Sequence, residues 1–179
     1  MKTAFAFVTC LTISLSVIAS PKSENDINTG IAGAVERYVS SIACGGVTIK
    51  PEDVLTLAPS RNPEALPKYA VLWTGDGGCF GGSGTERTHL AIATVNTGQY
   101  VVQPALSSPV VAFETPVIFV SRVVSYSAEA MVLEGFEHAP NDARNNPSIP
   151  VQFTLRADEK GHWKLVDKGR MESKTIRAN

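Results

Sequence analysis

Charge of one sign, histidine, cysteine and long apolar runs are all scarce in this chain, and each scarcity removes a class of explanation. Its 179 residues carry 16 Lys and Arg against 17 Asp and Glu, a formal net charge of −1. No strong field draws it toward nucleic acid or an anionic membrane, so no nucleic-acid partner is expected. The three cysteines and three histidines are dispersed. Neither Cys44 nor Cys79 has a second Cys or a His at ligand spacing, and His138 and His162 stand isolated; no metal and no cofactor is expected. There is no internal repeat, and the longest apolar stretch is too short and too interrupted by Ser and Thr for a membrane span.

That stretch is informative for another reason. Lys2 supplies a short positive start, and Ala4 to Ile18 run without a charge, rich in Phe, Leu, Ile and Val. The pattern is that of a secretory signal peptide over residues 1–19. Val17 and Ala19 stand where a signal peptidase accepts small residues, which puts the cut between Ala19 and Ser20, Pro21 disfavouring the next bond. No cysteine heads a lipid-attachment box there. The expected product is periplasmic or secreted, with no stable membrane insertion once the leader is removed. It has 160 residues, and the loss of Lys2 lowers the basic count to 15 and the charge to −2.

Cys10 departs with the leader, leaving Cys44 and Cys79 in a compartment where disulfides persist. A bridge across the 34 residues between them contributes roughly 3.8 kcal/mol by the chain-entropy estimate, less any strain in the folded state.

Residues 20–28 are polar and read as a flexible segment. A single globular domain is expected over 29–168, followed by a polar tail over 169–179 in which Lys174 and Arg177 extend a run of scattered basic residues. Ile31, Ala34, Val35, Tyr38, Val39 and Ile42 recur at steps of three and four, the spacing of one helix face. Asn28 or Thr29 is the expected N-cap, Gly45 and Gly46 the stop, and Cys44 then falls at the helix end. Pro51 to Ala58 reads as a second short helix, because Pro suits a first turn and Glu52 and Asp53 suit its positive end. Pro59, Pro63 and Pro67 break the chain beyond it.

From Tyr69 onward short β-branched and aromatic runs alternate with turn residues: 69–74, 88–95, 99–103, 117–126, 130–137, 151–156 and 162–166. Asn96-Thr97-Gly98 and Asp158-Glu159-Lys160-Gly161 are hairpin signals. Val151, Phe153 and Leu155 alternate with polar residues, and Trp163 and Leu165 are expected to continue that buried face. The fold class is therefore α+β, an N-terminal amphipathic helix packed on an antiparallel, meander-like sheet of about seven strands.

One local anomaly stands out. Gly75 to Thr85 holds six glycines in eleven residues directly after an apolar strand, and such density asks for left-handed backbone, a tight turn or close approach to bare main chain. A phosphate cradle fails: Gly77 and Gly82 have the spacing, but Ser83-Gly84 stands where Lys-Ser/Thr is required. A dinucleotide fingerprint fails because Phe80 occupies its third glycine position. A nucleophile elbow fails because Thr85 replaces its second glycine and a strand follows where a helix is needed. Ser83, His89 and Asp76 nonetheless form the one constellation from which hydrolysis could be assembled. As a recognition surface, the same loop offers Asp76, Phe80, Ser83 and Thr85, with Phe80 as an aromatic anchor.

Two further loops carry polar side chains. Leu106, Ser107 and Ser108 lie in a proline-bounded turn, which reads either as an ordinary connection, the favoured reading, or as an exposed tip that enters a partner's cleft. Residues 141–148 are rich in Asn but supply only Asp142 as a carboxylate, too little for calcium.

These features point to an exported binding or inhibitor protein, the immunity type among them, that recognises a protein partner through Gly- and Ser-rich loops. The alternatives are a small periplasmic hydrolase using Ser83, His89 and Asp76, or a structural accessory of envelope assembly. If Cys44 and Cys79 are bridged, reduction lowers the melting temperature by several degrees; an unchanged melt by circular dichroism would show that they are not.

Overall fold

The computed structural model describes residues 22–45, 47–57, 66–81, 85–143 and 146–171; the expected leader over 1–19, Ser83 and the last eight residues lie outside these. One helix and nine strands in two antiparallel sheets are found among them.

Helix α1 spans Glu24–Ser40, and its N-cap, Ser23, lies five or six residues before the cap expected at Asn28 or Thr29. The signal for the earlier start is Ser23-x-x-Asp26. The Ser23 hydroxyl accepts the Asp26 N–H while the Asp26 carboxylate accepts the Ser23 N–H, a capping box that satisfies two helix-end donors. Residues 24–28, expected to be flexible, therefore belong to the helix. Ile31, Val35 and Val39 are fully buried along one stripe. The helix ends at Ser40, so Cys44 is not at its end. It lies in β1 (Ala43–Cys44), beyond the Ser41 C-cap.

The first sheet comprises β1, β2 (Val54–Leu57), β3 (Lys68–Gly77), β4 (Arg87–Asn96) and β5 (Gln99–Val102). β3 is central: β4 runs along one side, while β2 pairs with Lys68–Val71 and β1 with Asp76–Gly77 on the other. The expected helix over 51–58 is only a 3₁₀ turn, Pro51–Asp53. Val54, Leu55 and Leu57 are buried, and sheet pairing to β3 overrides the local helix signal. The second sheet is a meander of β6 (Val120–Tyr126), β7 (Ala130–Glu137), β8 (Ile149–Ala157) and β9 (Trp163–Arg170), in that order. Gly169 and Arg170 pair with β8 and so are not tail. All seven expected strands are present. The sequence reading missed β1 and β2 and the division into two sheets.

The division follows from β3 and β4, which are apolar on both faces. Tyr69, Val71 and Trp73 of β3 with Ala91 and Ala93 of β4 pack under α1. Ala70 of β3 with Leu90 and Ile92 of β4 face Met131, Leu133, Val151, Phe153 and Leu155 of the second sheet. A strand buried on both sides requires a layer on each side, and one helix cannot supply both. Trp163 is buried as expected, but Leu165, on edge strand β9 just before its register shift, is 39% exposed.

Both hairpins form, Gly98 and Gly161 taking positive φ. The connection from β5 to β6 closes the outer edge of β4. Ile92 N–H donates to Ser107 Oγ at 2.9 Å, Ser107 O–H donates to the Gln103 carbonyl at 2.7 Å, and Ser108 N–H donates to the Leu90 carbonyl at 2.8 Å. Farther along, Val120 N–H donates to Thr88 Oγ1 at 2.9 Å. Ser107 is 0% exposed and Ser108 3%, and Leu106 packs on the inter-sheet core. The exposed tip expected at Leu106-Ser107-Ser108 is thus an internal edge seal. Ser107→Ala leaves the Ile92 N–H buried without an acceptor and should lower unfolding free energy by about 1–3 kcal/mol in urea titration.

Candidate functional site

The glycine-rich turn leaves β3 at Gly77 and is held by contacts at successive residues. Gly78 N–H donates to the Ile42 carbonyl at 3.0 Å, and Cys79 N–H to the Asp76 carbonyl at 3.3 Å. Cys79 is bridged to Cys44, with the two Cα atoms 4.9 Å apart. Phe80 N–H donates to Asp76 Oδ1 at 3.3 Å and Gly81 N–H to Asp76 Oδ2 at 2.9 Å. The Thr85 hydroxyl is a further partner of the same carboxylate.

Asp76 is itself buried. The hydrogen bonds, that from Gly81 foremost, hold its carboxyl below the ordinary aspartate value. Its chemistry in this geometry is to organise the turn.

Two backbone features allow the turn. Gly78 has φ +110, and a Cβ there would meet the Phe80 ring at 2.9 Å, so only glycine lets that ring lie across it. Cys79 takes φ 58, a conformation uncommon for a residue with a side chain. The result is a phenyl group 82% exposed on immobilised backbone.

His89 has a different setting. It pairs with Trp73 across β3 and β4, and the two rings stack with centroids 4.2 Å apart. His89 Nε2 lies 3.2 Å from the Gly75 carbonyl. A carbonyl can only accept, so Nε2 carries the proton. Burial pushes the imidazole pKa below its ordinary 6.5, the Gly75 contact and Asp76 opposing and Arg87 reinforcing the shift.

Side chains alternate along a strand. Asp76 therefore points to the opposite face of β3 from Trp73 and from Gly75 and Gly77, which border the stacked rings. No hydrogen bond joins Asp76 to His89. The structure thus brings Asp76, Phe80 and Thr85 together, keeps the Asp76 and His89 side chains apart, and places Leu106, Ser107 and Ser108 in the edge seal. Ser83 lies outside the described residues. Asp142 is occupied locally, accepting from Ala139 N–H at 2.7 Å and from Ser148 N–H at 2.8 Å.

A concave feature escaped the sequence reading: a cleft of about 490 Å3 between the 3₁₀ turn, β2, β3 and β6. Only the packing of two sheets creates it. Its linear trace is the Thr74 hydroxyl that closes the run 69–74.

Comparison with models of protein families, with curated proteins and with solved structures found no match to this chain. The disulfide fits a protein of an extracellular or periplasmic compartment, and among the described residues no helix is long and apolar enough to cross a membrane.

The two titrating groups give separate pH signatures. His89 binds a proton less readily folded than unfolded, so stability is lost as pH falls from 6.5 through its lowered folded value. Asp76 has the depressed carboxylate, so its contribution is present above 3.8 and lost as pH falls through its folded value. Urea midpoints should therefore decline in two stages on acidification. His89→Phe should flatten the first stage, while Asp76→Asn should reduce the second, to which the lowered carboxyls of Asp26, Glu134, Asp142 and Asp158 also contribute, and should lower stability at neutral pH.

Proposed function

We propose that the chain is an exported, non-enzymatic binding or inhibitor-type protein, periplasmic or secreted after removal of residues 1–19, that docks on a protein partner through the turn carrying Phe80. The supporting observation is the combination of exposure and immobility at that residue. Single exposed apolar side chains are ordinary on protein surfaces. Phe80 differs because its backbone is tied through Asp76 and lies beside the Cys44–Cys79 bridge. Little ordering entropy remains to be lost when a partner covers it, which is the condition for an effective anchor.

The immunity type of inhibitor fits this design, since such a protein must present a preformed surface to a toxin that reaches the same compartment. The Asp76 and His89 geometry gives the hydrolase alternative no support.

Mature protein immobilised in periplasmic extract is expected to retain a partner. Phe80→Ala should weaken the interaction by about 30-fold or more without shifting the melting temperature, and Ser83→Ala should leave it unchanged. Retention of nothing, together with an esterase or peptidase activity abolished by Ser83→Ala, would reverse this reading.

A further inference from the structure

The inter-sheet cleft lies apart from the Phe80 turn and has a chemistry of its own. Leu55, Leu72 and Val123, all part of or packed on the inter-sheet core, give it an apolar floor. Glu52 and Asp53 stand at its rim in the 3₁₀ turn. Among the described residues, Glu52 has the exposed Lys50 ammonium at 4.0 Å as its ion-pair partner. Asp53 is a helix-cap acceptor, taking the Lys50 N–H at 2.9 Å.

Among the described residues, the one cation lining the cleft is Arg122, and it is already answered. Its Nε and Nη2 donate to the two carboxylate oxygens of Glu134, each at 2.9 Å. The rim is therefore acidic above an aliphatic floor. The volume of about 490 Å3 lies within the range of small-ligand sites.

β6 borders the cleft as an edge strand, which raises the possibility of an added peptide strand. Its pairing slips between Val120 and Arg122 and again between Val123 and Ser125. Bulges at such short intervals break the regular ladder that an incoming strand needs. A compact ligand meets no such obstacle.

We propose that this cleft binds a small organic cation, a protonated amine carried on an aliphatic body, with Glu52 and Asp53 facing the ammonium and Leu55, Leu72 and Val123 covering the chain.

The test is calorimetric titration of the disulfide-intact protein with n-octylammonium, n-octanol and n-octanoate, probes that share one tail and differ in charge. The expected result is saturable one-to-one binding of n-octylammonium, weaker binding of n-octanol and weakest binding of n-octanoate, with methyl shifts in NMR spectra at Leu72 and Val123. Glu52→Gln should weaken n-octylammonium about three- to fivefold, as suits an exposed charge, and leave n-octanol unchanged. Phe80→Ala should alter none of these values, which separates the cleft from the turn. Absence of saturation, n-octanoate binding as well as n-octylammonium, or indifference to Glu52→Gln would overturn the proposal. So would a lysine-containing peptide that perturbs the β6 amides while n-octylammonium does not.

Discussion

The outer edge of β4 is the constraint on which the architecture rests. β4 is buried on both faces, so water is not at hand to satisfy its main-chain groups, and β5 pairs with it only from Ala93 to Asn96. The remaining groups must find protein partners or be left unpaired at appreciable cost. Ser107 and Ser108 supply hydroxyl oxygens, Gln103 and Ser108 supply N–H donors, and the Ile118 carbonyl accepts the Thr88 N–H, where a regular strand would have continued. The same residues carry the chain from the first sheet to the second. Edge satisfaction and sheet crossover are one device, and Tyr38 ties the helix layer to it by donating its hydroxyl to the Ser108 carbonyl at 2.8 Å.

At the opposite end of β3, the logic changes from sealing to display. The Cys44–Cys79 bridge, the Asp76 carboxylate and the bare Gly78 immobilise a turn whose aromatic side chain remains in solvent. His89 and Trp73 fill the space beneath, on the helix side. Stability and presentation are thus separated along one strand: the middle of β3 holds the layers together, and its last residues aim the turn. The acidic cleft occupies the other face of the same strand, where Leu72 and Thr74 look toward β6.

Much of this was legible in the residues. The helical stripe from Ile31 to Ile42, the seven strand runs, both hairpins and the cysteine pair rest on local periodicity, turn chemistry and compartment, which a linear reading can weigh. The glycine neighbours of Phe80 left it either to fold back onto the core or to serve as an anchor, and the structure has it in solvent. The errors share another origin. Val54 to Leu57 obeyed a helix-start signal that sheet pairing overrode. Ser107 and Ser108 resembled an exposed polar tip because hydroxyls read as surface residues unless the N–H groups they satisfy are known. Ser23 and Asp26 were a capping signature that was passed over, and the alanines of β4 hinted at a second covering layer.

The sequence by itself determined the apolar stripe of α1 and seven of the nine strands, that a cysteine pair is available at the glycine-dense turn, and that no recognised catalytic or metal spacing occurs. These depend on neighbours a few positions apart. Tertiary structure alone decided that there are two sheets, that Asp76 and His89 face opposite ways, that Ser107 is interior, and that an acidic cleft lies beside β6. Each of these is set by which face of a strand meets which layer, and a single shift in pairing would invert it.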